Sequence, residues 1–181
     1  DSSDALLVEA APGKSTSAHL EEAQRQLIKL TEEVVDEFRS TGDTYYANYR
    51  FDKALEAYKE GLSYVGKRDI PIVWAGMQWH MALANSEIGI RTKGTAIQKH
   101  FAEAIWRFGE AHTVYTRTQF PEAWAAIEND RGNALSNQGT RTSGEVSTRL
   151  LAQAVEAYRT ALTVFTKDAL PQDWARIQNN L

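Results

Sequence analysis

The sequence predicts an all-α protein, an α-solenoid of stacked antiparallel helical hairpins, from two observations. When the 181-residue chain is shifted against itself by fifty residues, prolines and tryptophans fall into register. The aligned sets are Pro71, Pro121 and Pro171, and Trp74, Trp124 and Trp174. A fixed period of this size is typical of repeats that bury their apolar faces on their neighbours. Within each period, apolar residues recur every three or four positions, which indicates helices rather than strands.

The first part of the chain predicts a lead-in and one long helix. Residues 1–17 are mostly small and polar, which favours a flexible segment. An apolar stripe at helical spacing follows and predicts a helix of about thirty residues. The stripe consists of Leu20, Ala23, Leu27, Leu30, Val34 and Phe38. A short turn near Tyr49 separates this helix from the next one.

The remaining chain divides into units at about 18–70, 71–120 and 121–170, with a further unit starting at 171–181. In the second and third units the first helix is predicted at about 71–88 and 121–138. The second helix is predicted at about 97–118 and 147–168.

Proline and glycine predict where these helices begin and end. Pro121 suits the first position of a helix, where its missing N–H costs nothing. Gly139 is predicted to end that helix with a positive φ. The final segment LPQDWARIQNNL restarts the first-helix pattern and stops before its apolar stripe is complete. We therefore expect the chain to belong to a longer array.

Two glycine-rich segments, GIRTKG at 89–94 and GTRTSG at 139–144, raise the question of a phosphate-binding loop. A Walker loop needs Lys and then Ser or Thr directly after its second glycine, and a buried strand before it. This chain has Thr95 and Glu145 at that place, and a predicted helix precedes each segment. The glycines are therefore interpreted as helix ends and hairpin loops, not as a nucleotide site.

Composition excludes several function classes. The net charge of −4 and the absence of a basic run argue against a nucleic-acid partner. The chain has no cysteine, so it forms no disulfide or thiolate metal site. No apolar stretch approaches the roughly 20 residues that membrane insertion requires. Serines, histidines and carboxylates show no spacing that would converge them, so we predict no enzyme activity and no cofactor.

Single conspicuous side chains have structural interpretations. The histidines lack paired ligand spacing, so no metal site is predicted. His112 aligns with Leu162, which favours packing, and the three aligned tryptophans are expected to fill the junctions between hairpins. Arg91 and Arg141 of the two loops either contact an anionic partner or bind a neighbouring carbonyl.

The small and aromatic residues of the hairpins resemble the tetratricopeptide repeat (TPR). The segment GDTYYANYRFDKALEAYKEGL carries the pattern of the first unit. Its matching residues are Gly42, Tyr45, Phe51, Ala54, Tyr58 and Gly61, and those of the third unit are Gly132, Leu135, Leu151, Ala154, Tyr158 and Ala161. The unit length of fifty and the PxxWA opening depart from the standard thirty-four-residue repeat, and are similar to elongated bacterial arrays of this superfamily.

The resemblance implies a right-handed superhelix whose concave wall, formed mainly by the first helices of the units, binds a peptide or protein segment. Some members of the family hold a C-terminal carboxylate with lysines and asparagines on these helices. The matching positions here are Arg39, Asp43, Trp79 and Ala126, so that clamp is not assembled.

Candidate groove residues lie on the first helices at positions that avoid the core stripe. They are Asp36, Arg39, Asp43 and Tyr46 in the first unit, Trp79, Leu83, Ser86 and Glu87 in the second, Asn129, Asn133, Ser136 and Asn137 in the third, and then Arg176 and Asn179. Asparagine can both donate to and accept from an extended peptide backbone. The alternative is a merely solvated face. Trp79 favours binding, because an indole is rarely left in water.

The sequence thus predicts a non-enzymatic scaffold that binds a protein or peptide ligand. One alternative is a regulatory or substrate-recruiting module of an enzyme whose catalytic domain lies elsewhere. Another is self-assembly into a homo-oligomer through the apolar stripe that the terminal repeat exposes near Leu181.

Overall fold

The computed structural model describes residues 14–181 and is all-α over that range. It contains seven helices: α1 Lys14–Ala47, α2 Phe51–Ser63, α3 Pro71–Arg91, α4 Ala96–His112, α5 Pro121–Thr140, α6 Gly144–Leu162 and α7 Pro171–Asn180. The all-α fold class predicted from the sequence is therefore confirmed. Three of the helices begin at the aligned prolines, as the missing N–H of proline favours.

Each helix packs mainly against its neighbours in sequence. The pairs α1–α2, α3–α4 and α5–α6 make the closest contacts, and α2–α3 and α4–α5 join these pairs. Two further contacts skip one element, because α1 touches α3 and α3 touches α5. These skipped contacts bring three helices side by side and define the surface described below.

The core consists of three clusters arranged along the chain. The first lies between α1, α2 and α3 around Tyr58 and Met81, and the second lies between α3, α4 and α5 around Phe101 and Phe108. The third lies around Tyr158, between α5, α6 and α7. Each cluster takes side chains from successive helices, so burial of apolar area connects neighbouring elements rather than distant ones.

Small residues allow these helices to approach closely. A Cβ atom added at Gly42 would lie 2.2 Å from the ring of Tyr58, and one at Gly132 would lie 2.6 Å from the ring of Tyr158. The aromatic rings occupy the space that the missing side chains leave. The residues that carried the resemblance in the first and third units therefore meet as helix-packing pairs.

The second helices end earlier than predicted. α4 ends at His112 and α6 at Leu162, whereas the apolar pattern predicted helices to about 118 and 168. Tyr115 and Phe165 extend the pattern because they pack on the core from turns, with their N–H groups bonded to Ala111 and Ala161.

The predicted role of Gly139 as a helix end is wrong. Gly89 and Gly139 lie inside α3 and α5, are buried, and have no positive φ. An added Cβ at Gly89 would lie 3.1 Å from the ring of Phe101. The positive φ belongs instead to the second glycine of each segment, at 74° for Gly94 and 66° for Gly144.

The start of α1 corrects the predicted lead-in. Residues 14–17 already belong to α1, so the helix of 34 residues begins within the segment expected to be flexible. Residues 1–13 lie outside the described part of the chain. The short turn predicted near Tyr49 is present, and Tyr49 has a φ of 59°.

Candidate functional site

Helices α1, α3 and α5 line a groove, called here the α1–α3–α5 groove, that consists of four cavities sharing lining residues. His80 lines both the first and the second cavity. Tyr46 lines the second, third and fourth, and Leu83 lines the second and fourth. The shared side chains place the cavities next to one another in a row.

The wide end of the groove lies between α1 and α3. Its cavity has a volume of about 620 Å³ and includes Asp36, Arg39 and His80, with Tyr115 at its margin. Arg39 forms ion pairs with Asp36 and, at 2.8 Å, with Asp43. The guanidinium of Arg39 is therefore committed to carboxylates of its own helix.

The middle of the groove holds a hydrogen-bonded network. The Tyr58 hydroxyl donates to Oδ1 of Asp43 at 2.7 Å, and Nδ1 of His80 lies 3.3 Å from the same oxygen. Burial lowers the pKa of His80, although the charge of Asp43 acts in the opposite direction. Burial and the hydrogen bond to Asp43 raise the pKa of Tyr58. The network fixes the Asp43 carboxylate between three elements.

The narrow end of the groove, a cavity of about 80 Å³, lies between α3 and α5. Its floor includes Asp130, whose Oδ2 accepts the indole N–H of Trp79 at 2.9 Å. Oδ1 of Asp130 accepts the amide of Asn129 at 3.2 Å. Burial raises the pKa of the Asp130 carboxyl, and these two hydrogen bonds oppose that shift.

The negative charges at this end of the groove also affect the pKa of Tyr46. Burial, followed by the charges of Glu87 and Asp130, raises the pKa of Tyr46 to about 12. Glu87 forms an ion pair with Arg91 one helical turn later. Asp130 forms no ion pair with any lysine or arginine of the described residues, and Arg176 acts on it only as a Coulombic attraction.

Carboxylates outnumber cations along the groove. The acidic lining residues are Glu32, Glu33, Asp36, Glu37, Asp43, Glu87 and Asp130. The guanidinium groups in the lining belong to Arg39 and Arg91, and both are paired with carboxylates already. The groove therefore carries a net negative charge.

Most of the residues predicted for the groove line it. These are Asp36, Arg39, Asp43, Tyr46, Leu83, Ser86, Glu87, Asn133 and Asn137. The side chains that line no described cavity of the groove are Trp79, Asn129, Ser136, Arg176 and Asn179.

Two of these residues, Trp79 and Asn129, were predicted to face the groove but connect helices in the structure. Trp79 is half-buried, packs edge-on against Tyr115, and directs its N–H to Asp130 between α3 and α5. Asn129 is fully buried and accepts a hydrogen bond from Asn180 at 3.1 Å, which joins α5 to α7. Both positions therefore connect helices instead of facing a ligand.

The remaining exceptions lie beside the groove or beyond it. Ser136 interacts with the hydroxyl of Tyr158. Arg176 is exposed and pairs with Asp173 at 2.9 Å, and Asn179 is exposed on α7. No described cavity extends to α7.

Sequence reasoning missed His80 and Asp130. They occupy the same position of successive units, fifty residues apart, directly after the predicted positions Trp79 and Asn129. The sequence prediction selected groove residues by steps of three and four along each helix. In α3 and α5 the selected position lay one residue before the one that lines the groove. The available signal was a polar residue recurring at that register in two units.

The glycine-rich segments form structural contacts. The guanidinium of Arg91 lies 4.4 Å from the ring centroid of Phe51, and that of Arg141 lies 5.7 Å from that of Phe101. Each arginine also donates to a carbonyl four residues earlier. The interpretation that these arginines bind neighbouring carbonyls is supported, and each also covers an aromatic ring of an earlier helix.

The aligned tryptophans are half-buried at the helix junctions, each beneath a cation from the preceding turn. The distances to the ring centroids are 4.9 Å for Lys67 over Trp74, 5.4 Å for Arg117 over Trp124 and 5.6 Å for Lys167 over Trp174. Such a contact contributes about 0.5–1 kcal/mol at exposed sites.

His112 packs at the α4–α5 junction, as expected, and has polar partners there. Its Nε2 lies 3.2 Å from the carbonyl of Trp124, and its Nδ1 lies 3.3 Å from Glu128. Burial lowers the pKa of His112, and the attraction of Glu128 offsets part of that shift.

Within residues 16–181, no group of three or more His, Asp or Glu side chains is placed to hold a metal ion. Among the described helices, none combines the length and apolar character needed to cross a membrane.

Comparison with known proteins gives no match: no family model, curated protein or solved structure corresponds to this chain.

Proposed function

We propose that the chain is a non-enzymatic scaffold of TPR type, an α-solenoid whose first helices form a concave wall that binds an extended peptide or protein segment. The observation that carries this proposal is the row of adjacent cavities in the α1–α3–α5 groove, because extended peptides bind in clefts that combine apolar and hydrogen-bonding groups. Leu83 and Tyr46 supply the apolar part at its centre. Asn133 and Asn137 line the narrow end, where Tyr158 donates to Oδ1 of Asn133 and Arg141 donates to Oδ1 of Asn137. Each side-chain amide carries two N–H donors, so each can still donate to a peptide carbonyl.

Contacts that recur in successive units support the repeat architecture. Trp79 bonds to Asp130, and Asn180 bonds to Asn129, so the same two positions join α3 to α5 and α5 to α7. The hydroxyl of Tyr58 bonds to Asp43, as that of Tyr158 does to Asn133. Equivalent positions therefore play equivalent parts.

Peptide selection tests the proposal. The chain is used to select ligands from a displayed library of random linear peptides, and the affinity of enriched peptides is measured by fluorescence anisotropy. We expect Leu83→Asn to weaken binding about tenfold, which corresponds to about 1.4 kcal/mol. Asparagine is the residue at the equivalent position of α5, Asn133, so the helix can accommodate it.

The matched control removes an exposed apolar side chain outside the groove. Trp106 on α4 is 54% exposed and lines no described cavity of the groove. Trp106→Ala is expected to leave peptide affinity unchanged. Failure to enrich any peptide would contradict the proposal, as would peptides that respond to Trp106→Ala and ignore Leu83→Asn.

A further inference from the structure

We propose that the α1–α3–α5 groove selects peptides with a basic side chain, lysine or arginine, which enters the cavity between α3 and α5 and is held by Asp130. This inference rests on the proposed function, because it names the ligand class of the same groove. Three features of the narrow cavity carry it: a largely buried carboxylate that pairs with no lysine or arginine of the described residues, free acceptor capacity, and a volume suited to one side-chain head.

The first feature is the state of Asp130. Burying a carboxylate is unfavourable unless a cation or hydrogen bonds compensate it. Its hydrogen-bond donors, Trp79 and Asn129, are both neutral. A carboxylate has about four lone-pair sites, so Asp130 retains acceptor capacity toward the cavity. A lysine or arginine would supply the missing charge.

The second feature is further acceptor capacity around the cavity. Ser86 contributes a buried Oγ with no hydrogen-bond partner, and it lines the same cavity as Asp130. The cavity also borders Glu87, whose charge contributes to the raised pKa of Tyr46. An ammonium offers three donors and a guanidinium offers five, without any acceptor, so either group complements this lining.

The third feature is size. The cavity has a volume of about 80 Å³, which holds several water molecules or the head of one long side chain. The rest of the peptide would follow the wider cavities between α1 and α3, where further carboxylates lie. Their negative potential also accelerates the approach of a basic ligand, an effect that salt weakens.

Defined peptide libraries test the inference. Four sets of N-acetylated, C-amidated nonapeptides carry Lys, Arg, acetyl-lysine or Glu at the central position and mixtures elsewhere. Blocking both termini removes terminal charges, so that only the central residue differs in charge between sets. Binding to the intact chain is measured by anisotropy competition at low and at high salt.

We expect the Lys and Arg sets to bind at least about tenfold more tightly than the acetyl-lysine and Glu sets, since a hydrogen bond to a charged group is worth this much. Asp130→Asn, which keeps an oxygen to accept from Trp79, should abolish that preference. Asp168→Asn removes the same charge from the exposed loop between α6 and α7 and should preserve it.

Three other outcomes would overturn the inference, and they differ in what they say about the proposed function. Equal binding of all four sets, or a basic preference that persists in Asp130→Asn, would contradict recognition at Asp130 and leave a peptide-binding groove. Absence of binding by every set would remove the proposed function along with the inference. The comparison of Lys with acetyl-lysine uses the unmodified chain, so it does not depend on the folding of any variant.

Discussion

At the scale of single residues, small side chains decide how closely the helices pack. Gly42 and Gly132 face the rings of Tyr58 and Tyr158 at distances that leave no room for a methyl group. Gly109, by contrast, lies on α4 with no atom within 4 Å of an added Cβ. Glycine is therefore required for close packing at position 42 but not at position 109.

This contrast gives a matched pair of substitutions. Gly42→Ala should lower the free energy of unfolding by about 1–3 kcal/mol, because the buried Tyr58 ring cannot move away without disturbing the core. Gly109→Ala should raise it by up to about 1 kcal/mol, since alanine loses less backbone entropy in a helix. Urea denaturation followed by circular dichroism measures both. Equal effects of the two substitutions would show that the approach of Gly42 to Tyr58 is not tight.

At the scale of elements, the junction between α4 and α5 combines apolar packing with buried charge. His112 and Glu128 face each other there, and Arg131 pairs with Glu128 at 2.8 Å. The equivalent of His112 at the next junction is Leu162. The histidine therefore makes this junction sensitive to protonation in a way that its equivalent is not.

The pH dependence follows from the lowered pKa of His112. The unfolded chain, with a histidine pKa of about 6.5, binds the proton more readily than the folded chain. The stability that neutral His112 provides is complete above that pH and is lost as the pH falls through it toward the folded-state pKa. The loss amounts to no more than about 1.4 kcal/mol per pH unit for a single group.

Substitution by the residue of the next unit isolates this contribution. His112→Leu should show a smaller fall in the free energy of unfolding than the unmodified chain between about pH 7.5 and about pH 5.5. Urea titrations at several pH values provide the comparison, and titrating groups remote from the α4–α5 junction cancel in the difference. Parallel pH profiles would mean that His112 titrates normally in the folded state.

At the scale of the whole molecule, packing between sequential helices predicts that stability varies along the chain. Each of the helices α2 to α5 has partners on both sides, whereas α7 packs mainly on α6. Residues 16–30 of α1 are exposed throughout. Segments with few buried contacts open at lower free energy than the core.

Hydrogen exchange should reveal this gradient. We expect the slowest amide exchange in α3, α4 and α5, and the fastest among the described helices in residues 14–30 and in α7. Exchange followed by mass spectrometry, with peptides assigned to each helix, provides the measurement. Uniform protection across all seven described helices would instead indicate one cooperative unit.

The sequence determined the all-α class, the proline helix starts and most of the groove stripe, because these depend on local rules: helical periodicity, the missing N–H of proline and the three- to four-residue face. Only the tertiary structure decided which polar residues line the groove and which join helices. Trp79 and Asn129 were predicted to face the groove. Instead, Trp79 donates to Asp130 on α5, and Asn129 accepts from Asn180 on α7. Gly139 was predicted to end a helix, yet it makes room for Leu151. The reason is that residue spacing along the chain shows which side chains share one face of a helix. Burial and hydrogen-bond partners depend instead on the distance to the neighbouring helix.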